Sequence, residues 1–111
     1  MGKPAVPCIV TKVDDGFNFK LISGLNTDLE LIQEGMGRVV AAKPKKVYVD
    51  MAACDLICSA VMGVLLHFQS QIRAHGGSMK IVAIQKMVFG SFKISRLDQL
   101  FGISPDVIIS K

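Results

Sequence analysis

The sequence predicts an α/β fold: a mixed, mostly parallel sheet that opens with an N-terminal β-hairpin, with helices packed against it. Three observations predict it. A hairpin signal near the N-terminus is followed by alternating strand and helix patterns. The hydrophobic period switches from two residues to 3.6 at Ser59. Half of the 111 residues are hydrophobic, enough for one core, yet no apolar run approaches the ~20 residues of a membrane span. No repeat, low-complexity tract or linker divides the chain, so residues 1–111 are read as a single domain.

The elements follow in order. Cys8–Val13 and 17–22 read as strands, with Asp14-Asp15-Gly16 as the turn between them. Phe17, Phe19 and Leu21 alternate with Asn18 and Lys20, the pattern of a sheet with one wetter face. Asn26 is expected to cap a helix over 27–42, with Asp28 and Glu30 in its first turn, where acidic groups suit the helix dipole. Leu29, Ile32, Met36, Val39 and Val40 recur at helical spacing. Gly35 and Gly37 weaken this helix or admit a close neighbour, and Lys43-Pro44-Lys45 ends it. Residues 46–51 form a strand with Val47, Val49 and Met51 on one face.

Ser59 is expected to cap a second helix over 59–75. Val61, Leu65, Phe68 and Ile72 mark its inner stripe, widened by Met62 and Leu66. Gly63 is read as a point of close backbone approach. His75-Gly76-Gly77 is a glycine stop. Residues 79–84 form another strand. A third helix over 86–95 turns Val88 and Phe92 inward, with Ser95 as a further candidate. Residues 101–103 and 107–109 leave room for a last short strand.

Several function classes are excluded. Three cysteines, Cys8, Cys54 and Cys58, at irregular spacing do not make a disulfide framework and are read as reduced thiols. Cys54 and Cys58 would need two more zinc ligands, and His67 and His75, the only histidines, read as surface residues of the second helix. No metal or cofactor is expected. The N-terminus lacks the apolar stretch of a signal peptide, and Val6 occupies the position where a myristoylation motif needs Ser or Thr. A cytoplasmic protein is expected. The net charge of +4 is spread along the chain; the Lys43, Lys45 and Lys46 cluster reads as a solvated turn, and no nucleic-acid surface is expected. No Ser-His-Asp, Walker or Rossmann pattern occurs, and Gly35-x-Gly37 lacks the third glycine. The chain is read as a non-enzyme with no catalytic residue.

The informative window is 47–77. A strand ends, the loop 52–58 follows, and a helix opens at Ser59 on the carboxyl edge of the sheet, where open α/β folds carry function. A hydroxyl there can cap the helix. It can also accept a phosphate, because free N–H groups and the positive end of the dipole receive an anion. Cys58, beside the same helix end, is read as an inert thiol rather than a reactive one.

These residues resemble a known family. Val47-Tyr48-Val49-Asp50-Met51, then Leu56-Ile57-Cys58-Ser59-Ala60-Val61-Met62-Gly63-Val64-Leu65-Leu66, then Ala74-His75-Gly76-Gly77-Ser78-Met79-Lys80-Ile81 look like a STAS domain. Gly24-Leu25-Asn26 is similar to the family's opening of its first helix. Val88, Phe92, Ile94, Ser95, Leu97, Leu100-Phe101 and Ile103 are similar to its third helix and ending. The resemblance spans about residues 8–109 and is to the anti-sigma factor antagonist kind. It implies a regulatory protein-binding domain, phosphorylated at Ser59. Its partner would be an anti-sigma factor with serine-kinase activity, or another regulatory protein, and that partner would carry ATP. The partner surface would be the area around Ser59, the loop 52–58 and the outer face of residues 61–73, and would include Asp55, Cys58, Ser59 and Met62. The alternative is an unphosphorylated STAS scaffold in a signalling assembly, or in a transporter or lipid-trafficking complex. Three departures stand out. Cys58-Ser59-Ala60-Val61 replaces the family's Asp-Ser-Ser-Gly, so the acidic neighbour of the serine is lost. Arg96 replaces a glycine before Leu97. After 109, little length is left for the family's usual final helix.

Overall fold

The computed structural model describes residues 6–109. Two strands, β1 (Cys8–Val13) and β2 (Gly16–Leu21), pair antiparallel across a two-residue turn, Asp14-Asp15, with Val13 opposite Gly16. The second strand starts one residue earlier than its alternation suggests. Gly16 can pair there because it has no Cβ: one would lie 1.7 Å from the Lys46 carbonyl oxygen on the next strand. A single 3-10 turn at Asn26–Asp28 then leads into helix α1 (Leu29–Ala41). Asn26 is therefore not the cap. It opens the 3-10 turn, Asp28 is the flanking residue of α1, and neither turn nor helix has a side-chain cap bond.

Strand β3 (Lys46–Met51), helix α2 (Ser59–Ala74), strand β4 (Ser78–Gln85) and helix α3 (Lys86–Ile94) follow. A short helix α4 (Leu97–Leu100), a 3-10 turn at Pro105–Val107 and the two-residue strand β5 (Ile108–Ile109) complete the order. The sheet runs β1-β2-β3-β4-β5, antiparallel in the hairpin and parallel thereafter. Neighbours in space are thus neighbours in sequence, and right-handed crossovers then put successive helices on one face. Burial agrees. Phe19, Leu21, Val47, Val49, Met51, Met79, Ile81 and Ile84 are buried, whereas Asn18, Lys20, Tyr48 and Asp50 are half-buried and Lys80 is exposed. On that wetter side the Tyr48 hydroxyl donates to Asp15 Oδ2 at 2.9 Å, tying the hairpin turn to β3.

The register of β4 slips once. Val49 faces Ile81, but Asp50 faces Ala83, so Val82 is an extra residue with no partner on β3. This is a β-bulge. It lets Ile84, rather than Ala83, join Met79 and Ile81 on the buried face.

The helices close the core. Helix α1 buries Ile32, Gly35, Met36, Val39 and Val40. Gly35 is a close-approach site, since a Cβ there would meet Cys8 Sγ at 3.1 Å. Helix α2 buries Val61, Met62, Leu65, Gln69 and Ile72. The expected stripe included Phe68, which is only half-buried. The turn-by-turn position falls to Gln69, whose Nε2 donates to the Leu100 carbonyl at 3.1 Å. That hydrogen bond is what allows an amide in the core. Gly63 is exposed, and a Cβ there would meet nothing within 4 Å, so it is not a close-approach point.

Two glycines stop α2. Gly76 is left-handed (φ +82°), its N–H bonds to the Arg73 carbonyl at 2.9 Å, and the Gly77 N–H reaches back to the Ile72 carbonyl at 2.9 Å. That pair of bonds is the Schellman arrangement. Val88 and Phe92 of α3 are buried, while Ser95 is exposed. Arg96, at φ +60°, turns the chain out of α3 into α4, so no inward turn remains for Ser95.

Candidate functional site

Because β2, β3 and β4 run parallel, their carboxyl ends lie on one edge of the sheet. The segments 22–28 and 52–58 and the first turns of α2 and α3 therefore gather there. The loop 52–58 is pinned along its length. The Ala52 N–H donates to Asp50 Oδ1 at 3.0 Å, and the Ala52 carbonyl accepts from Gln85 Nε2 at 2.7 Å. The Cys54 N–H donates to the Met51 carbonyl at 3.1 Å, and its fully buried thiol donates to the Leu56 carbonyl at 3.3 Å. Burial pushes the Cys54 thiol above its ordinary value of 9.0. The nearby Asp55 charge adds to that shift.

The second loop is stitched to the first. Gly24 bridges Ile57 in parallel, and the Cys58 N–H donates to the Gly24 carbonyl at 2.8 Å. Only glycine allows this, since a Cβ on Gly24 would lie 2.5 Å from the Leu56 carbonyl oxygen. Within 22–28, the Ser23 hydroxyl donates to Asp28 Oδ2 at 2.6 Å.

Helix α2 leaves this scaffold uncapped. Cys58, in extended backbone, is the flanking residue, and its carbonyl accepts the first helical bond, from the Met62 N–H at 3.1 Å. Ser59 is thus the first residue inside the helix rather than its cap. No side chain caps the helix, and no acidic residue lies in its first turn. Ser59 and Ala60 are exposed.

The residues expected on the partner surface separate into three classes of accessibility. Asp55 and Ser59 are exposed, Cys58 is half-buried, and Met62 lies in the core at 5% exposure. Met62 thus cannot offer its side chain to a partner and instead supports the first turn from beneath. The outer face of α2 is formed by Ala60, Gly63, His67 and Ser70, all exposed. Two large apolar residues are exposed on this edge, Leu56 by 60% and Met87 by 77%; sequence reasoning included the loop that carries Leu56 without singling that residue out, and missed Met87. The available signal was the pair Leu56-Ile57: adjacent residues in an extended segment point opposite ways, and here Ile57 is buried. Among the described residues, no group of three or more His, Cys, Asp or Glu side chains could hold a metal ion, and no helix is long and apolar enough to cross a membrane.

The family model of the STAS domain matches residues 25–108, from the loop before α1 to the first residue of β5. The chain belongs to the STAS domain family. Among solved structures, this STAS domain is similar to an anti-sigma factor antagonist from Mycobacterium paratuberculosis. The TM-score is 0.79 at 18% identity, over 88% of this chain and 84% of that one. It is also similar to the anti-sigma factor antagonist SpoIIAA in its unphosphorylated form, with a TM-score of 0.69 at 13% identity, over 87% of this chain and 98% of that one. At these identities the likeness is one of fold. No curated protein matches this STAS domain in sequence.

Proposed function

We propose that this STAS domain is a protein-binding regulator of the anti-sigma factor antagonist kind, switched by phosphorylation of Ser59. The observation that carries the reading is an exposed serine in the first turn of a sixteen-residue helix that no side chain caps. A phosphate on that hydroxyl lies next to unbonded N–H groups and the positive end of the helix dipole, so the fold tolerates it. It also adds nearly two negative charges to a surface otherwise formed by Leu56, Ala60 and Gly63, which is enough to repel a partner that fits the neutral form. The fold likeness to two anti-sigma factor antagonists supports the same reading. The partner would be an anti-sigma factor with serine-kinase activity, which supplies the ATP, and Asp55 would lie at the rim of the contact.

The experiment is a binding and phosphorylation assay against a serine kinase encoded beside this chain. Ser59→Asp is expected to weaken binding, and Ser59→Ala to keep binding while abolishing phosphate incorporation. Equal affinity of both variants, with phosphate still incorporated into Ser59→Ala, would sink the switch. One observation favours a second reading, an unphosphorylated scaffold: Cys58 stands where the family carries the acidic neighbour of its serine. On that reading the kinase neither binds nor modifies the chain.

A further inference from the structure

Beside the Ser59 loop, on its other flank, lies an open groove of about 560 Å³ that the phosphoserine reading does not use. Val6, Ile22, Leu25 and Leu56 supply its apolar walls, and Asp28 and Asp55 its charges. Backbone hydrogen bonds hold its three segments together. The Pro7 carbonyl accepts from the Ile22 and Ser23 N–H groups at 2.7 and 3.1 Å, and the Gly24 carbonyl accepts from the Cys58 N–H at 2.8 Å. The groove is thus formed before anything binds, as ligand sites usually are.

Two features of the groove point to its occupant. Val6, Leu25 and Leu56 are 48%, 44% and 60% exposed, large apolar side chains left in water on one concave surface. Its charge also runs against that of the molecule. The chain carries a net charge of +4, yet among the described residues both charged side chains of the lining are carboxylates and no Lys or Arg lines it. Among the described residues, the one ion pair is Arg38–Glu34, so no described cation pairs with Asp28 or Asp55. Asp28 Oδ2 accepts from Ser23, and Asp55 is exposed.

We propose that this groove docks a short segment of the partner protein that carries an apolar side chain beside a Lys or Arg. The apolar walls take the side chain out of water. The two carboxylates steer and orient the cation, and reject acidic segments by like charge. The proposal rests on the reading that the loop 52–58 faces a protein partner. It names a separate contact, because Ser59 does not line the groove.

The test is a titration of the isotope-labelled full chain, followed by its amide resonances. Two probes are used: a short peptide with leucines between lysines, and the same peptide with glutamates for lysines. The lysine peptide is expected to give saturable shifts concentrated at Ser23, Leu25, Thr27, Asp55 and Leu56, and the glutamate peptide none. Asp55→Lys and Leu56→Ser, both at exposed positions, are each expected to raise the Kd at least about tenfold, as the loss of one buried or charge-paired contact does. The proposal is overturned by the absence of saturable shifts with the lysine peptide, by equal shifts from both peptides, by shifts centred elsewhere, or by an unchanged Kd in both variants. Self-association of the chain that Leu56→Ser abolishes would assign the groove to a second copy and overturn it too. Failure here leaves the Ser59 variants to decide the switch, and failure of the switch leaves the groove titration intact.

Discussion

Ser59 and Cys58 exchange the roles that their residue types suggest. Serine is a preferred cap and cysteine is not, yet the backbone of Cys58 turns into the helix and Ser59 is the residue after it. The reason is the bond from the Cys58 N–H to Gly24, which fixes where the extended loop ends. Since the Ser59 hydroxyl makes no cap bond, Ser59→Ala is expected to change stability by less than about 0.5 kcal/mol, against the 0.5–2 kcal/mol of a lost cap. Urea denaturation distinguishes the two. Ser59 as a candidate was legible in the sequence; the missing cap bond was not, because it depends on a contact across more than thirty residues of chain. Met62 was legible as part of the inner stripe, and its burial there is what removes it from the partner surface.

Cys54 gives a pH-dependent prediction. Its folded value is raised, so the neutral thiol is the form the fold favours. The stability this contributes is fully present below the unfolded thiol value and is lost as pH rises through the folded one. The decline therefore begins near pH 9.0, the ordinary value of the group. Cys8 is also raised, chiefly by burial against an opposing Arg38 charge, and adds to the same alkaline window. Urea midpoints measured from about pH 8 to about pH 10.5 are expected to fall less steeply in Cys54→Ala than in the parent chain. Parallel curves would mean that the Cys54 thiolate is as well solvated in the fold as outside it.

At the scale of elements, two glycines have opposite fates. Gly24→Ala forces a Cβ to 2.5 Å from the Leu56 carbonyl oxygen, so the segments 22–28 and 52–58 must part. A loss of about 1–3 kcal/mol is expected, as for other overpacked sites. Gly63 lies in α2 with open space around it, so Gly63→Ala is expected to stabilise the helix by roughly 1 kcal/mol. Thermal denaturation checks both. If the outer face of α2 docks a partner, the same Gly63→Ala raises stability while lowering affinity, which a variant acting on the fold alone does not do.

Most elements were legible because their patterns are local. The three long helices, expected over 27–42, 59–75 and 86–95, form at Leu29–Ala41, Ser59–Ala74 and Lys86–Ile94. Glycine and proline stops and the 3.6-residue period suffice for that. Helix α4 was not legible, being four residues long and set off by a left-handed Arg96 rather than by a glycine. Gln69 was missed because a polar residue on an inner stripe reads as a break. Only its bond to Leu100, far along the chain, makes it a core residue.

For the whole molecule, one cluster joins the inner face of every strand from β2 to β4 with α1, α2 and α3. No part of it divides from the rest, so we expect a single cooperative unfolding transition, with coincident curves from far-UV circular dichroism and Tyr48 fluorescence. Two separated transitions would refute the single-domain expectation. Leu65 belongs to the cluster with 1% exposure, and Leu65→Ala is expected to cost about 2–5 kcal/mol. A change of that size removes a large fraction of the ~5–15 kcal/mol that holds a domain together, and moves the one transition rather than splitting it.

The bulge in β4 bears on which changes in length the fold can absorb. Deleting a residue from a paired strand turns every side chain beyond it to the other face. Loss of Lys80 would carry Ile81 into solvent, or force the strand to slide along β3. Val82 is the exception, because it has no partner. Without it, Ile81 still faces Val49, Ala83 still faces Asp50 and Ile84 still faces Met51. The strand would simply become regular, and Gln85 would still follow Ile84 toward the Ala52 carbonyl. A chain one residue shorter at this point therefore has the same core, and a one-residue gap between relatives is silent here and disruptive elsewhere in the strand.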